Sequence, residues 1–358
     1  MDAEVHEGLE GVVVTRTMLS RVDGEGGHLV VAGHNVEELA TACSFEEATS
    51  RLFQLAGLAH EDMASRIAQG RALAFDLLPR LEPAMGCDSP MVALRAAVDL
   101  LPLPLADDPA HVVGAVGFVA ATHARHVVGQ APVAPSKEGH AADVLRMMTG
   151  VTDEARASGL GAYLVTVMDH GMNASTFTAR VVASTASDVL SSVAAALAAL
   201  KGPLHGGAPG PVLDMLDAIG EPASAERWLE AEIASKRRIM GMGHRVYRVR
   251  DPRAAVLEAV CARLESRGVT SPRLPLARAV EKVARQVLAA RYPNRSLDTN
   301  VEFYTAVLLD TLGVPRTHFS AMFACGRVAG WLAHIAEQTA KGRLIRPESL
   351  YVGPEPTT

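Results

Sequence analysis

From residue 44 to residue 340 the chain reads as a succession of helix-length apolar segments, each broken by glycine, proline or a short polar run. A chain written this way must bury helix faces against other helix faces, because it offers little that could line a sheet. The punctuation predicts helices over 61–79, 89–101, 109–129 and 139–158, with the Pro-rich stretch 130–136 as a loop between the last two. Further helices are expected over 174–184, 187–200, 210–219 and 225–237, one ending near 266, then 274–291, 300–312 and 316–340. The residue palette agrees. Aromatics are 4% of the 358 residues, and Ala, Leu and Val dominate the 49% that is hydrophobic, a mixture suited to helices rather than sandwiches or barrels. The expected fold class is all-α.

The one place for strands is the beginning. Gly11-Val-Val-Val-Thr15 and His28-Leu-Val-Val-Ala32 flank the turn dipeptide Asp23-Gly24 and predict a short β-hairpin. Ser44-Phe-Glu-Glu47 then has the spacing of a capping box, opening a helix with Ala48, Leu52 and Leu55 on one face and Gly57 as its stop.

Several classes of function fall away. Lys plus Arg is 34 and Asp plus Glu is 40, a net charge of −6 that leaves no reservoir of cations for a nucleic-acid backbone. Cys43, Cys87, Cys261 and Cys325 stand far apart, which fits neither a zinc site nor a disulfide framework and suits a reducing compartment. The acidic start lacks the basic and apolar regions of a signal peptide, and no apolar run is long enough to span a bilayer. The expectation is a cytoplasmic protein without metal, membrane or nucleic-acid partner.

Candidate chemistry gathers in the breaks between helices. His205 stands in Pro-Leu-His-Gly-Gly and His244 in Gly-Met-Gly-His-Arg. Glycines let a ligand approach the backbone, and a histidine among them can donate to a carbonyl oxygen or simply cap a helix. Glu302, in Asn300-Val-Glu-Phe-Tyr304, is either a first-turn complement to the helix dipole or a carboxylate that burial prepares as a general base. Arg253, Arg327 and Arg346 lie among apolar or turn residues. Arg327, on a helix that reads as buried, needs either an internal carboxylate or a substrate carboxylate.

Four segments then fall into a known pattern: Gly202-Pro-Leu-His-Gly-Gly-Ala208; Gly241-Met-Gly-His-Arg-Val-Tyr247 with Asp251-Pro-Arg253; Asn300-Val-Glu-Phe-Tyr304; and Gly326-Arg327…Gly330-Trp331…His334…Glu337-Gln338. In order and spacing they resemble the citrate synthase family, clearly from about residue 160 onward and more weakly through the N-terminal hairpin. The resemblance implies an all-helical homodimer with a shared active site. It implies a large domain of residues 1–206 and 315–358, and a small domain, 207–314, that closes over substrate. It also implies condensation of acetyl-CoA or a close acyl-CoA with oxaloacetate, the coenzyme A thioester being a co-substrate and no cofactor being permanently bound. Carried over by position, His205 stabilises the thioester enol, Glu302 stands where the family's aspartate takes the α-proton, and His244 donates to the ketone. His170 and Asn173 match the family's H-E-x-N run. Arg253, Arg327 and, across the dimer, Arg346 match its dicarboxylate-binding arginines, and Gly241, Met242 and Gly243 would lie against coenzyme A.

Three residues depart from the family pattern. Glu302 is one methylene longer than aspartate, Gly171 replaces the acidic residue after the first histidine, and Ala32 replaces an arginine. The longer base leaves two further readings open, a paralogue using another acyl-CoA or 2-oxo acid and a catalytically impaired relative that only binds these ligands.

Overall fold

A computed structural model describes residues 5–206 and 209–354. Sixteen α-helices and one small sheet are seen among them, so the all-α expectation holds. The sheet has three antiparallel strands in the order β1 (Ser20–Asp23), β2 (His28–Val31) and β3 (His34–Asn35).

The second strand of the hairpin lies where it was expected, but the first does not. Residues 11–15 form no strand, and Val13 is 87% exposed. Asp23 pairs with His28 and Ser20 with Val31. A turn this tight closes the register on the residues beside it, so the strand is 20–23 and not the more apolar run farther back. The sheet gains its third strand through the two-residue loop Ala32-Gly33, with φ of 50° and 82°.

The capping box forms as written. The Glu47 amide donates to Ser44 Oγ at 3.2 Å, and the Ser44 amide donates to the Glu47 carboxylate at 2.7 Å. The segment 139–158 is two helices, His140–Thr149 and Glu154–Val167, because Gly150 terminates the first with a φ of 76° and Asp153 caps the second. The segment 61–79 likewise divides into Met63–Asp76 and a short helix beginning at Leu78.

Two helices make the centre. Pro109–His126 carries no charged side chain before its last turn and is buried on every side, as an all-round apolar helix must be. Phe319–Lys341 is buried from Phe319 to Ile335 apart from Ser320. Gly326 and Gly330, one helical turn apart, let this helix lie directly on the end of Glu154–Val167. A Cβ at Gly326 would stand 2.8 Å from the Leu164 carbonyl oxygen, and one at Gly330 would collide with that of Met168. That contact sets Arg327, His334 and Trp331 against Val167, Asp169 and Ser175, on and beside the polar break 169–173. All four cysteines are free thiols, and no described helix is long and apolar enough to cross a membrane.

Candidate active site

His205 is held from the N-terminus of the helix Ala174–Ala183. The Ser175 amide donates to its Nε2 at 3.3 Å, and the Ser175 hydroxyl lies 2.8 Å from the same nitrogen. A ring nitrogen that accepts from an amide carries no proton, so the proton is on Nδ1, facing away from the helix. Burial, then Arg327 and Arg253, push the imidazole pKa down to about 4. Trp331 Nε1 donates to Ser175 Oγ at 3.2 Å and ties this arrangement to the central helix.

His244 is the complement. Its Nδ1 accepts from the amides of Val246 at 3.0 Å and Tyr247 at 3.1 Å, which leaves the proton on Nε2. Burial and Arg253 likewise lower its pKa to about 4. His170 faces it edge-on, with ring centroids 5.6 Å apart, and its Nε2 lies 3.1 Å from the Tyr247 hydroxyl. Burial and the two arginines hold His170 far below the ordinary imidazole value. Three histidines are thus neutral, and two present N–H donors of opposite tautomers.

The arginines differ. Arg253 grips Asp251 through Nε at 3.0 Å and a terminal nitrogen at 2.8 Å. Asp251 also accepts from the Arg253 and Val301 amides, so a single buried carboxylate fixes the start of the helix Pro252–Ser266 to that of Val301–Thr311. Arg327, 1% exposed, donates Nε to the Val167 carbonyl at 2.6 Å and lies over the Phe323 ring. One of its terminal nitrogens is buried without a partner. Desolvation pushes its pKa down to about 9. Of the two partners open to it in sequence, no internal carboxylate among the described residues contacts it; Asp169, which acts on it only electrostatically, is bonded to His334.

Glu302 is half-buried in the first turn of its helix, near Arg253 and Asp251. Burial raises its pKa to about 7, against the opposing pull of Arg253. The loop 241–243 runs alongside. Gly243 donates to the Asp298 carbonyl at 2.7 Å, and Asn300 Nδ2 donates to the Gly243 carbonyl at 2.8 Å. Gly241, with a φ of 75°, lies so close to Phe303 that a Cβ would come within 2.8 Å.

The structure therefore brings His170, His205, His244, Arg253, Arg327 and Glu302 within electrostatic reach of one another. It spends Asn173 on capping: Oδ1 accepts from the Thr176 amide, and Nδ2 donates to Thr176 Oγ1. Arg346 is away from this group, exposed on the irregular segment after the last helix, beside a cavity of about 460 Å³. Gly207 and Ala208, which end the His205 motif, lie outside the described residues, as does the domain boundary expected there. Sequence reading missed Ser175, Tyr247 and the clamping role of Asp251. For Asp251 the signal was present, since Asp directly before Pro at a helix start is a capping arrangement. It also missed a buried chain in which Asp169 contacts His334, His334 accepts from Arg180, and Arg180 pairs with Glu337.

A family model described as "Citrate synthase, C-terminal domain" matches residues 8–348. A Mycobacterium tuberculosis protein named putative citrate synthase 2 is 48% identical over 214 residues, 59% of this chain; the match spans 56% of that relative. The 2-methylcitrate synthase of the same species is 35% identical over 98% of this chain and 91% of its own length. Among solved structures, the citrate synthase of Thermoplasma acidophilum, in a ternary complex with carboxymethyl coenzyme A and oxaloacetate, superposes with a TM-score of 0.85 at 28% identity, covering 99% of this chain and 98% of that one.

Proposed function

Because this chain belongs to the citrate synthase family, we propose that it condenses acetyl-CoA or propionyl-CoA with oxaloacetate, giving citrate or 2-methylcitrate and free coenzyme A. One observation carries the reading. Two neutral histidines, each anchored through one ring nitrogen to backbone amides, offer their other N–H to a basic pocket that also holds a half-buried carboxylate.

In this reaction Glu302 removes a proton from the acyl α-carbon while His205 Nδ1–H donates to the thioester oxygen, so that the developing enolate is never left bare. The α-carbon attacks the ketone of oxaloacetate, and His244 Nε2–H donates to the ketone oxygen as it becomes the alkoxide. Water then cleaves the thioester, releasing the thiol. Arg253 and Arg327 receive the two carboxylates, with His170 alongside. The unpartnered nitrogen of Arg327 supports that assignment, because a buried donor calls for an anion.

The same reading makes the protein a cytoplasmic homodimer in which Arg346 of the partner subunit completes the pocket. It places Gly241–Gly243 against coenzyme A and closes the domain 207–314 over the remainder to exclude water. The test is thiol release with oxaloacetate and each acyl-CoA in turn. Turnover with at least one supports the proposal, and binding of both substrates without turnover by either refutes it.

A further inference from the structure

The N-terminal hairpin is given no part in the reaction above, yet it touches both histidine-bearing breaks. At its first strand, Ser20 Oγ accepts from the Gly171 amide at 3.1 Å, and Ser20 is near enough to Asp169 to help hold that carboxyl below its ordinary pKa. These two residues flank His170. Val22, two residues on, fills the space a side chain at Gly171 would need: a Cβ there would come within 3.2 Å of Val22 Cγ2. Beyond the strand, the Gly24 carbonyl accepts from the Arg248 amide at 2.8 Å. A Cβ on Gly24 would lie about 1 Å inside ordinary contact with the Val246 carbonyl oxygen. Val246 and Tyr247 supply the amides that aim His244.

Five residues of one hairpin thus span the distance between two breaks that are far apart in the chain. We propose that this hairpin is a positioning strut for the condensation, Gly24 acting through His244 and Ser20 through His170. The inference rests on the proposed function, in which both rings meet oxaloacetate. A strut explains why the turn is so glycine-rich, since the loop 246–250 lies directly against it; Gly27 is equally close to Val249. It also suits a glycine at 171, where φ is 56° and a Cβ would come within 3.2 Å of Val22 Cγ2.

The experiment is a pair of double-mutant cycles. Gly24→Ala must push the 246–248 backbone by about 1 Å, and a displacement of that size near a reacting group costs roughly a hundredfold in kcat/KM for oxaloacetate. The KM for acyl-CoA should stay within about twofold. In a His244→Ala background the same substitution should cost less than about twofold, since the residue it acts through is gone. Ser20→Ala, which only removes atoms and so keeps the test open if Gly24→Ala does not fold, should cost about tenfold, the usual weight of one or two lost hydrogen bonds. Ser20→Thr should restore most of it, and a His170→Ala background should abolish the effect. Losses that multiply in full in both double variants overturn the proposal, as does a lowered Tm with unchanged kcat/KM. Amide exchange at Gly171, Val246 and Tyr247 reads the strut without substrate. It should quicken at Val246 and Tyr247 in Gly24→Ala and at Gly171 in Ser20→Ala. If the parent turns over neither acyl-CoA, the functional reading fails while exchange still decides the strut, and unchanged protection at all three amides overturns it.

Discussion

Replacing Arg327 by Met should stabilise the free protein and destroy its affinity for oxaloacetate. The guanidinium is buried, and its pKa is pushed down from the ordinary guanidinium value to about 9, chiefly by loss of water. Each tenfold change in proton affinity is worth about 1.4 kcal/mol, so keeping this charge in the folded state costs on the order of 5 kcal/mol. Because the folded pKa of a base is lowered, the unfolded chain holds the proton more tightly. The cost is therefore present in full below pH 9, neutral pH included, and is relieved only as pH rises from about 9 towards the ordinary guanidinium pKa. Met fills a similar volume without charge. It forfeits the bond to the Val167 carbonyl and the contact with the Phe323 ring, together worth roughly 2 kcal/mol. The balance is a gain on the order of 1–3 kcal/mol, in line with other replacements of buried charges by apolar residues. For a chain of this length that raises Tm by a few degrees. Thermal unfolding of parent and variant, each with and without oxaloacetate, is the assay. The parent should be stabilised by the ligand, and the variant should start higher and not respond. A variant less stable than the parent would show that the protein already compensates this charge, and the argument from an unpartnered cation would fail.

Further outcomes are expected for Glu302, for the two histidines and for Arg346. The kcat/KM for condensation should rise with pH through about 7, because Glu302 must lose its proton to act as base; Glu302→Gln should abolish turnover and leave oxaloacetate binding, measured by calorimetry, largely intact. The raised pKa of that carboxyl also means that its contribution to stability is present below its ordinary value and is lost as pH rises through 7, a loss Glu302→Gln should not show in pH-dependent unfolding. His205→Ala and His244→Ala should each lower kcat by about a hundredfold or more, with losses in the double variant far from multiplicative in steady-state assays. Mixing Arg346→Ala with His205→Ala subunits should restore activity through heterodimers that hold one intact pocket; confirmed subunit exchange without recovery would remove Arg346 from the site.

The helices were legible because their signals are local. Apolar spacing, the Ser44–Glu47 box and terminal glycines act within a few residues, and the structure follows them. The misplaced first strand shows the limit. Residues 11–15 are better strand formers than 20–23, but the turn sets the register, and propensity yields to it. The histidines stood out through their glycine surroundings, whereas their tautomers were invisible. Those depend on Ser175, thirty residues from His205 in sequence, and on the amides of Val246 and Tyr247, which have no side-chain signature. The chain Asp169–His334–Arg180–Glu337 was hidden for the same reason, joining residues brought together only by packing.

Arg253 and Arg327 look equivalent in sequence, and their surroundings make them unequal. A carboxylate approaching Arg253 meets a cation already paired with Asp251 through two bonds. One approaching Arg327 meets a charge with no carboxylate in contact. In the proposed reaction, attraction for a dicarboxylate would therefore fall mainly on Arg327, with Arg253 supplying orientation. Burial and Arg253 keep both His205 and His244 neutral, with Arg327 adding to the effect at His205. Neutrality and aim are one constraint here, because the lone pair that leaves each ring uncharged is the one that accepts from the anchoring amide. Protonation would set N–H against N–H at both anchors. As pH falls from the ordinary imidazole value towards about 4, the unfolded chain takes up protons that the folded pocket refuses, so acid weakens the fold at the two points to which the proposed reaction assigns its donors.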